Sequence, residues 1–230
     1  MGYSRCVIFA GPCGAADRTI GPASATSAAK GAPGLSALPR PGDLVLCADA
    51  GYISCKAAGI RPDAVIGDFD SLPAENIGEI DEAGIRRIVH PARKDETDTL
   101  LCVKYGLAQG IGDFLIIGGI GGDFGHTVAN LQVLSYIVDM GCKGEITTEN
   151  ERILMTDGEA EFEGRAGAKF SVLSYSERSE GVCIKNAKYE LADATLTQSY
   201  PIGVSNEFME KGPVNVSVRR GRLLVVASLD

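Results

Sequence analysis

Two carboxylates placed two residues apart at the end of a short apolar run are the residues of this chain with the clearest chemistry to offer. The run Ala64-Val65-Ile66-Gly67 leads into Asp68-Phe69-Asp70-Ser71. On an extended segment residues i and i+2 point the same way, so Asp68 and Asp70 converge on one hard cation while Phe69 faces the opposite side. A solvated acidic turn accounts for the same spacing, because Asp favours turns for its own hydrogen bonds. A second acidic cluster, Lys94-Asp95-Glu96-Thr97-Asp98, precedes an apolar helix expected to run to Gln109. Asp95 and Thr97 also suit a helix N-cap, and acidic side chains favour a helix start. A third segment, Gly118-Gly119-Ile120-Gly121-Gly122-Asp123-Phe124-Gly125-His126, lies between the apolar run Phe114 to Ile117 and another helix. Glycine this dense permits close backbone approach and leaves amides at a helix N-terminus for phosphate. It matches neither GxGxxG followed by a ribose-binding acid nor GxxxxGK[ST]. Together the segments describe carboxylate-held Mg²⁺ beside a backbone cradle, the equipment for transfer from a nucleotide phosphate.

Elements that position these groups alternate along the first part of the chain. Apolar runs at Cys6 to Ala10, Asp43 to Ala48, Ala64 to Ile66, Arg86 to His90 and Asp113 to Ile117 read as strands. Helices are expected from Gly51 to Ala58, Ala74 to Ala83, Thr97 to Gln109 and His126 to Met140. Such alternation predicts βαβ units in an α/β domain, a mainly parallel sheet with helices on both faces. Right-handed crossovers place the loops after the strands along one edge, where both acidic clusters face a common crevice. From about Gly144 the pattern switches to short alternating runs between Gly, Asn and Asp turns, which predicts a smaller antiparallel β domain. The expected domains are 1–143 and 144–230, and the segment Gly11 to Gly42 reads as a loop rich in Gly, Ala, Ser and Pro.

Composition excludes several classes of function. A net charge of −8 opposes binding to a nucleic-acid backbone, which needs a basic face. No apolar run approaches the roughly 20 residues of a membrane span. Seven cysteines, an odd number with no CxxC pair, read as reduced buried thiols of a cytoplasmic protein. His90 and His126 are the only histidines, and neither sits beside a cysteine pair that could form a zinc site.

Asp49-Ala50-Gly51, Gly67-Asp68-Phe69-Asp70-Ser71, Asp95-Glu96-Thr97-Asp98 and the segment Gly121 to Asn130 resemble, in order and spacing, the motifs of thiamine pyrophosphokinases. Gly203-Val204-Ser205-Asn206 in the β-rich tail extends the resemblance over nearly the whole chain. The resemblance implies an N-terminal α/β domain for ATP and Mg²⁺, a C-terminal β-sandwich for thiamine, and a homodimer with thiamine sites between subunits. It implies that Asp68, Asp70 and Asp98 hold Mg²⁺, with Asp49 and Asp95 close by and Asp95 part of the catalytic set. Asp49, Gly51, Ser71, Lys94, Thr97, Gly119, Gly121, Gly122, His126 and Asn130 would then serve the nucleotide side, and Ser205 and Asn206 would help contain thiamine. The implied reaction moves a pyrophosphoryl group from ATP to the thiamine hydroxyl and releases AMP.

The chain departs from the family pattern in two places. Where the family usually reads Gly-Gly-Arg-x-Asp-His, this chain has Asp123 and Gly125, so a cation has become an anion and a carboxylate is gone. Arg93, Lys94 or Arg152 could replace the missing cation. The chain also has no Trp, so an aromatic shelf for thiamine falls to Tyr189, Tyr200 or Phe208. His126, starting a helix, reads as a capping or hydrogen-bonding group, and Arg219-Arg220-Gly221-Arg222 as a solvated hairpin turn. Two other functions fit the same residues: a pyrophosphokinase for another hydroxymethyl heterocycle such as a pterin, and a nucleotide- or thiamine-binding protein without turnover.

Overall fold

A computed structural model describes residues 2–11, 38–93, 95–210 and 212–229. Most of the loop expected between Gly11 and Gly42, Cys13 included, lies outside the described residues. The chain divides into two compact units, Met1–Glu149 and Asn150–Asp230.

The first unit is built on strands β1 (Cys6–Phe9), β2 (Leu44–Ala48), β3 (Ala64–Gly67), β4 (Arg86–Val89), β5 (Asp113–Ile117) and β6 (Lys143–Thr147). All neighbours pair in parallel, in the order β6-β5-β1-β2-β3-β4. β1, β2 and β3 are buried along their whole length, which is why they read as continuous apolar runs with no alternation. The helices are α1 (Gly51–Ala57), α2 (Ala74–Glu82), α3 (Asp98–Ala108) and α4 (Phe124–Asp139). Val7, Phe9, Val45, Cys47 and Val65 form one core with Tyr52 and Cys55 of α1 and Ile80 of α2. Their alternates turn the other way: a Cβ at Gly106 of α3 would come 2.7 Å from Phe114 and 3.2 Å from Cys6, so α3 covers the opposite face.

The sequence pattern gave no strand at β6. Its Lys143-Gly144-Glu145 start lacks the apolar run of the interior strands, and Gly144 packs closely, since a Cβ there would meet Ile137 and Leu134 at 3.0–3.1 Å. The end of β1 and the start of α1 approach even more closely. A Cβ at Gly51 would lie 1.9 Å from the carbonyl oxygen of Phe9, a backbone atom that cannot rotate away. Gly51→Ala should therefore destabilise the protein by about 2 kcal/mol, as overpacking of a fixed contact does. A midpoint in urea unchanged from that of the parent would contradict this close approach.

The second unit has two antiparallel sheets. One has the order β12 (Asn206–Glu207), β9 (Lys169–Ser174), β14 (Leu223–Ser228), β7 (Glu151–Thr156). The other runs β11 (Leu191–Thr197), β10 (Arg178–Lys185), β13 (Val214–Ser217), β8 (Glu159–Phe162). Inward residues of both sheets share one core, in which the rings of Phe162, Phe170 and Phe208 meet at centroid distances of 4.8–5.7 Å. Sheets sharing such a core make a sandwich. β11 escaped the sequence pattern because Leu196 is its only buried residue.

Two expectations about this unit are corrected. Phe208 is 2% exposed and packed into the aromatic core, so it offers no shelf to a ligand, whereas Tyr189 and Tyr200 are 60% and 67% exposed. Residues 219–222 join β13 in one sheet to β14 in the other and are not a hairpin turn. There Arg220 bridges to Glu180 of β10, and a Cβ at Gly221 would strike the Arg178 carbonyl oxygen at 2.6 Å. The Arg222 side chain is 16% exposed, far from solvated.

Of the described cysteines, Cys6, Cys47, Cys55 and Cys102 are buried and all six are free thiols. Burial is the first cause that pushes the Cys6 thiol up to about 12, with Asp43 and Asp63 adding to it. No helix among the described residues is long and apolar enough to cross a membrane.

Candidate active site

In a parallel sheet every strand ends on the same edge, so the loops after β1, β2, β3 and β5 are brought together by topology. The order of strands reverses between β1 and β5, the switch point beside which open α/β sheets hold ligands. The loop after β5 lies on one side of that point. Asp49, which follows β2, and the segment 68–71, which follows β3, lie on the other.

Asp49, Asp68 and Asp70 form the acidic group: one carboxylate oxygen of each lies within 4.8 Å of the others. Asp49 adopts φ 42°, a left-handed conformation open to Asp and rarely used by bulky residues. Its backbone amide donates to the Ile66 carbonyl at 2.9 Å, which ties the end of β2 to β3. Gly67 permits the approach, since a Cβ there would lie 2.9 Å from that of Asp49. Asp49 is 5% exposed, and its Oδ1 is buried without a hydrogen-bond partner. Burial is the main cause that raises the Asp49 carboxyl above its usual value, and the charge of Asp98 adds to it. Hydrogen bonds from Ser71 oppose the rise, and Asp68 adds further.

The route by which Asp68 and Asp70 converge differs from the extended spacing expected. β3 stops at Gly67, and Phe69 takes φ 64°, so the two carboxylates are turned together at a bend and not by a strand pleat. The Asp70 amide donates to Asp68 Oδ1 at 3.3 Å and the Ser71 hydroxyl to Asp70 Oδ1 at 2.9 Å. Phe69 does face away from them, into the core, as expected. Asp98 opens α3, behind the N-cap Thr97, whose hydroxyl accepts from the Leu100 amide at 3.3 Å. Asp98 is not one of the three carboxylates that meet, yet it is near enough to act on Asp49 through its charge. Asp95 is exposed at a bend, and Lys94 lies outside the described residues.

The glycine loop is held by the helix that follows it. Asn130 of α4, 5% exposed, donates from Nδ2 to the Gly119 carbonyl at 2.7 Å. The Gly121 amide donates to the Thr127 hydroxyl at 3.0 Å. Gly121, Gly122 and His126 are exposed. The cap itself is Asp123, whose Oδ1 accepts from the His126 amide at 2.9 Å, so His126 enters the cap through its backbone and its imidazole is not the capping group. Gly125 fits this arrangement, because a Cβ there would lie 3.0 Å from Asp123 Oδ1. Asp123 and Gly125 are thus parts of one local structure, which spacing alone did not reveal.

In the second unit Ser205 is exposed at φ 62°, with its amide donating to the Ser171 hydroxyl at 3.2 Å. Asn206 is 6% exposed. Its side-chain amide donates to the Tyr189 carbonyl at 2.7 Å and accepts from the Tyr189 amide at 3.0 Å, which latches β12 to the connection between β10 and β11. A cavity of about 170 Å³ lies nearby, lined by Val172, Leu196, Thr197, Tyr200, Ile202 and Leu224 among others.

Comparison with known proteins agrees with these features. The family model described as "Thiamin pyrophosphokinase, catalytic domain" matches residues 37–145, and "Thiamin pyrophosphokinase, vitamin B1 binding domain" matches residues 144–223. Thiamine pyrophosphokinase of Bacillus subtilis is 28% identical over 184 residues, 79% of this chain and 86% of that protein. The crystal structure of the Bacillus subtilis protein superposes with a TM-score of 0.81 at 24% identity, covering 99% of each chain. Thiamin pyrophosphokinase from Candida albicans superposes with a TM-score of 0.75 at 15% identity, covering 99% of this chain and 90% of that one. At such identities the superpositions speak for the fold, while the two matched models, end to end over residues 37–223, speak for descent. The chain belongs to the thiamin pyrophosphokinase family.

Proposed function

We infer that this protein transfers a pyrophosphoryl group from ATP to the hydroxyl of thiamine, giving thiamine diphosphate and AMP. The observation that carries the reading is the pairing of a catalytic-domain match over the acidic edge of the first unit with a vitamin B1 binding match over the second. A pterin acceptor gains no support from that second match. A binder without turnover gains none either, because Asp123 and Gly125 have a structural reason to stand together.

The acidic group suits Mg²⁺. Three carboxylates are a hard oxygen donor set, and the partnerless buried oxygen of Asp49 lacks the interaction that would justify its burial. Asp49, Asp68 and Asp70 would hold the ion, with Asp98 contributing charge beside them. Bound there, Mg²⁺ neutralises the charge that develops on the phosphate oxygens. The glycine loop, fixed by Asn130 and Thr127, orients the nucleotide with backbone amides. The Ser71 hydroxyl, hydrogen bonded to Asp70, keeps that carboxylate turned toward the group.

The attacking hydroxyl must lose a proton as the bond to the β-phosphorus forms and AMP departs; Asp95 before α3, Asp98 at its start, or water can receive it. Thiamine contacts belong to the second unit, where Ser205 is exposed and Asn206 keeps the Tyr189 segment in place. The reading includes a homodimer, supported by the exposed apolar side chains Tyr200, Ile202 and Val204. It also includes a cytoplasmic setting, supported by the buried free thiols.

Purified protein with ATP, Mg²⁺ and thiamine should release AMP and form thiamine diphosphate, and omission of thiamine or addition of EDTA should stop both. AMP appearing equally without an acceptor would overturn the reading in favour of a nucleotide hydrolase. A pterin alcohol replacing thiamine at equal rate would move the acceptor assignment.

A further inference from the structure

Phe69 is the residue on which the geometry of the acidic group turns. It stands between Asp68 and Asp70, and its left-handed φ of 64° is a conformation that a bulky side chain adopts only when its surroundings impose it. Two contacts impose it. The ring is 8% exposed and packed in the core that contains Leu72, Ile80 and Ile85. Above the ring lies the guanidinium of Arg87, with Cζ 5.4 Å from the ring centroid.

Arg87 is itself held. It belongs to β4, where alternation sends neighbouring side chains to opposite faces: Arg86 reaches Tyr105 of α3, and Arg87 reaches Phe69 and α2. Its Nε donates to Asp81 Oδ1 of α2 at 2.8 Å. Contacts thus run from Asp81 through Arg87 to the ring of Phe69, whose backbone links Asp68 and Asp70 in the chain. The acidic group beside that ring points to a ligand on independent grounds, because Asp49, one of its three members, has a buried Oδ1 with no hydrogen-bond partner.

We propose that Arg87 is a positioning residue for the metal-binding carboxylates, acting through the ring of Phe69. It touches neither substrate nor ion; it holds the ring down, and the ring holds the bend that turns Asp68 and Asp70 together. The proposal rests on the reading of the acidic group as a cation site.

Direct titration of the full-length protein with Mn²⁺, a spectroscopic stand-in for Mg²⁺, followed by electron paramagnetic resonance without nucleotide, tests it. Arg87→Ala should weaken Mn²⁺ binding about five-fold, the scale of a partly desolvated cation–π contact. Arg87→Lys, which keeps a cation over the ring, should recover most of that loss. Arg86→Ala, whose side chain meets Tyr105 instead, should leave the affinity unchanged. In a Phe69→Leu background Arg87→Ala should have no further effect, the mark of two residues acting as one. Melting in EDTA reports folding separately from metal binding. Equal Mn²⁺ affinity in Arg87→Ala and the parent overturns the proposal while leaving the cation site standing. Equal losses in Arg86→Ala and Arg87→Ala overturn it too, by showing a general effect of the edge strand. No Mn²⁺ binding by the parent removes the site itself, and this role with it.

Discussion

Asp70→Ala should reduce AMP formation by about a thousandfold, or about 4 kcal/mol of transition-state stabilisation, while leaving the protein folded. Asp70 is exposed at a bend after β3, so its side chain contributes little to the core. What it contributes is one of the three carboxylates that meet. Removing one ligand of a hard cation lowers both the affinity for the ion and the field it exerts on the phosphate oxygens. The melting temperature in EDTA should stay the same or rise slightly, since one of three mutually repelling charges is gone. Near-normal turnover at saturating Mg²⁺ would end the assignment of Asp70 to the metal.

Asp49→Asn should separate stability from function more sharply. Asn accepts the left-handed backbone at φ 42° and is nearly isosteric, so the fold has no steric reason to change. Burial, with the charges of Asp98 and Asp68, raises the Asp49 carboxyl above its usual 3.8 against the opposing hydrogen bonds from Ser71. The metal-free folded protein therefore holds that proton more tightly than the unfolded chain does. Its contribution to stability is fully present below pH 3.8 and is lost as pH rises through the higher folded value.

Asparagine cannot ionise and escapes this loss. In EDTA near neutral pH the variant should melt above the parent, by about 2 °C, and the difference should vanish in acid. Mg²⁺ should raise the melting temperature of the parent and have little effect on the variant, whose turnover should fall by about a thousandfold. A variant that melts lower than the parent in EDTA at neutral pH would show that the Asp49 carboxylate is not a destabilised group awaiting an ion. The parent's Mg²⁺ response should also strengthen with rising pH over the same interval, because the ion competes with the proton for one oxygen.

Asp123 shows how a residue can mislead when it is compared with a motif one position at a time. An anion in a loop expected to face phosphate argues for altered chemistry, yet its Oδ1 caps α4 and Gly125 makes room for it. Asn206 shows the reverse. Its type and place in Gly203-Val204-Ser205-Asn206 indicate a ligand contact, but both ends of its amide are engaged with the Tyr189 main chain.

The amino-acid sequence by itself determined the class of fold and singled out the residues of the candidate site. Continuous apolar runs, helical periods between them, and Gly or Asp at their ends are local patterns with periods of 2.0 and 3.6 residues, legible without knowing what packs on what. They brought out the parallel first unit and most of the second, along with the acidic clusters and the glycine loop. Only the tertiary structure decided which of those groups meet. Asp49 joins Asp68 and Asp70 because β2 pairs with β3 in a register set by the burial of both, and because Gly67 lacks a side chain. Phe208 is withdrawn from any ligand because two sheets close over it, and Arg87 reaches Phe69 because β4 lies at the edge beside β3. Strand order and register bring residues distant in sequence into contact, and no spacing along the chain encodes the approach of one element to another.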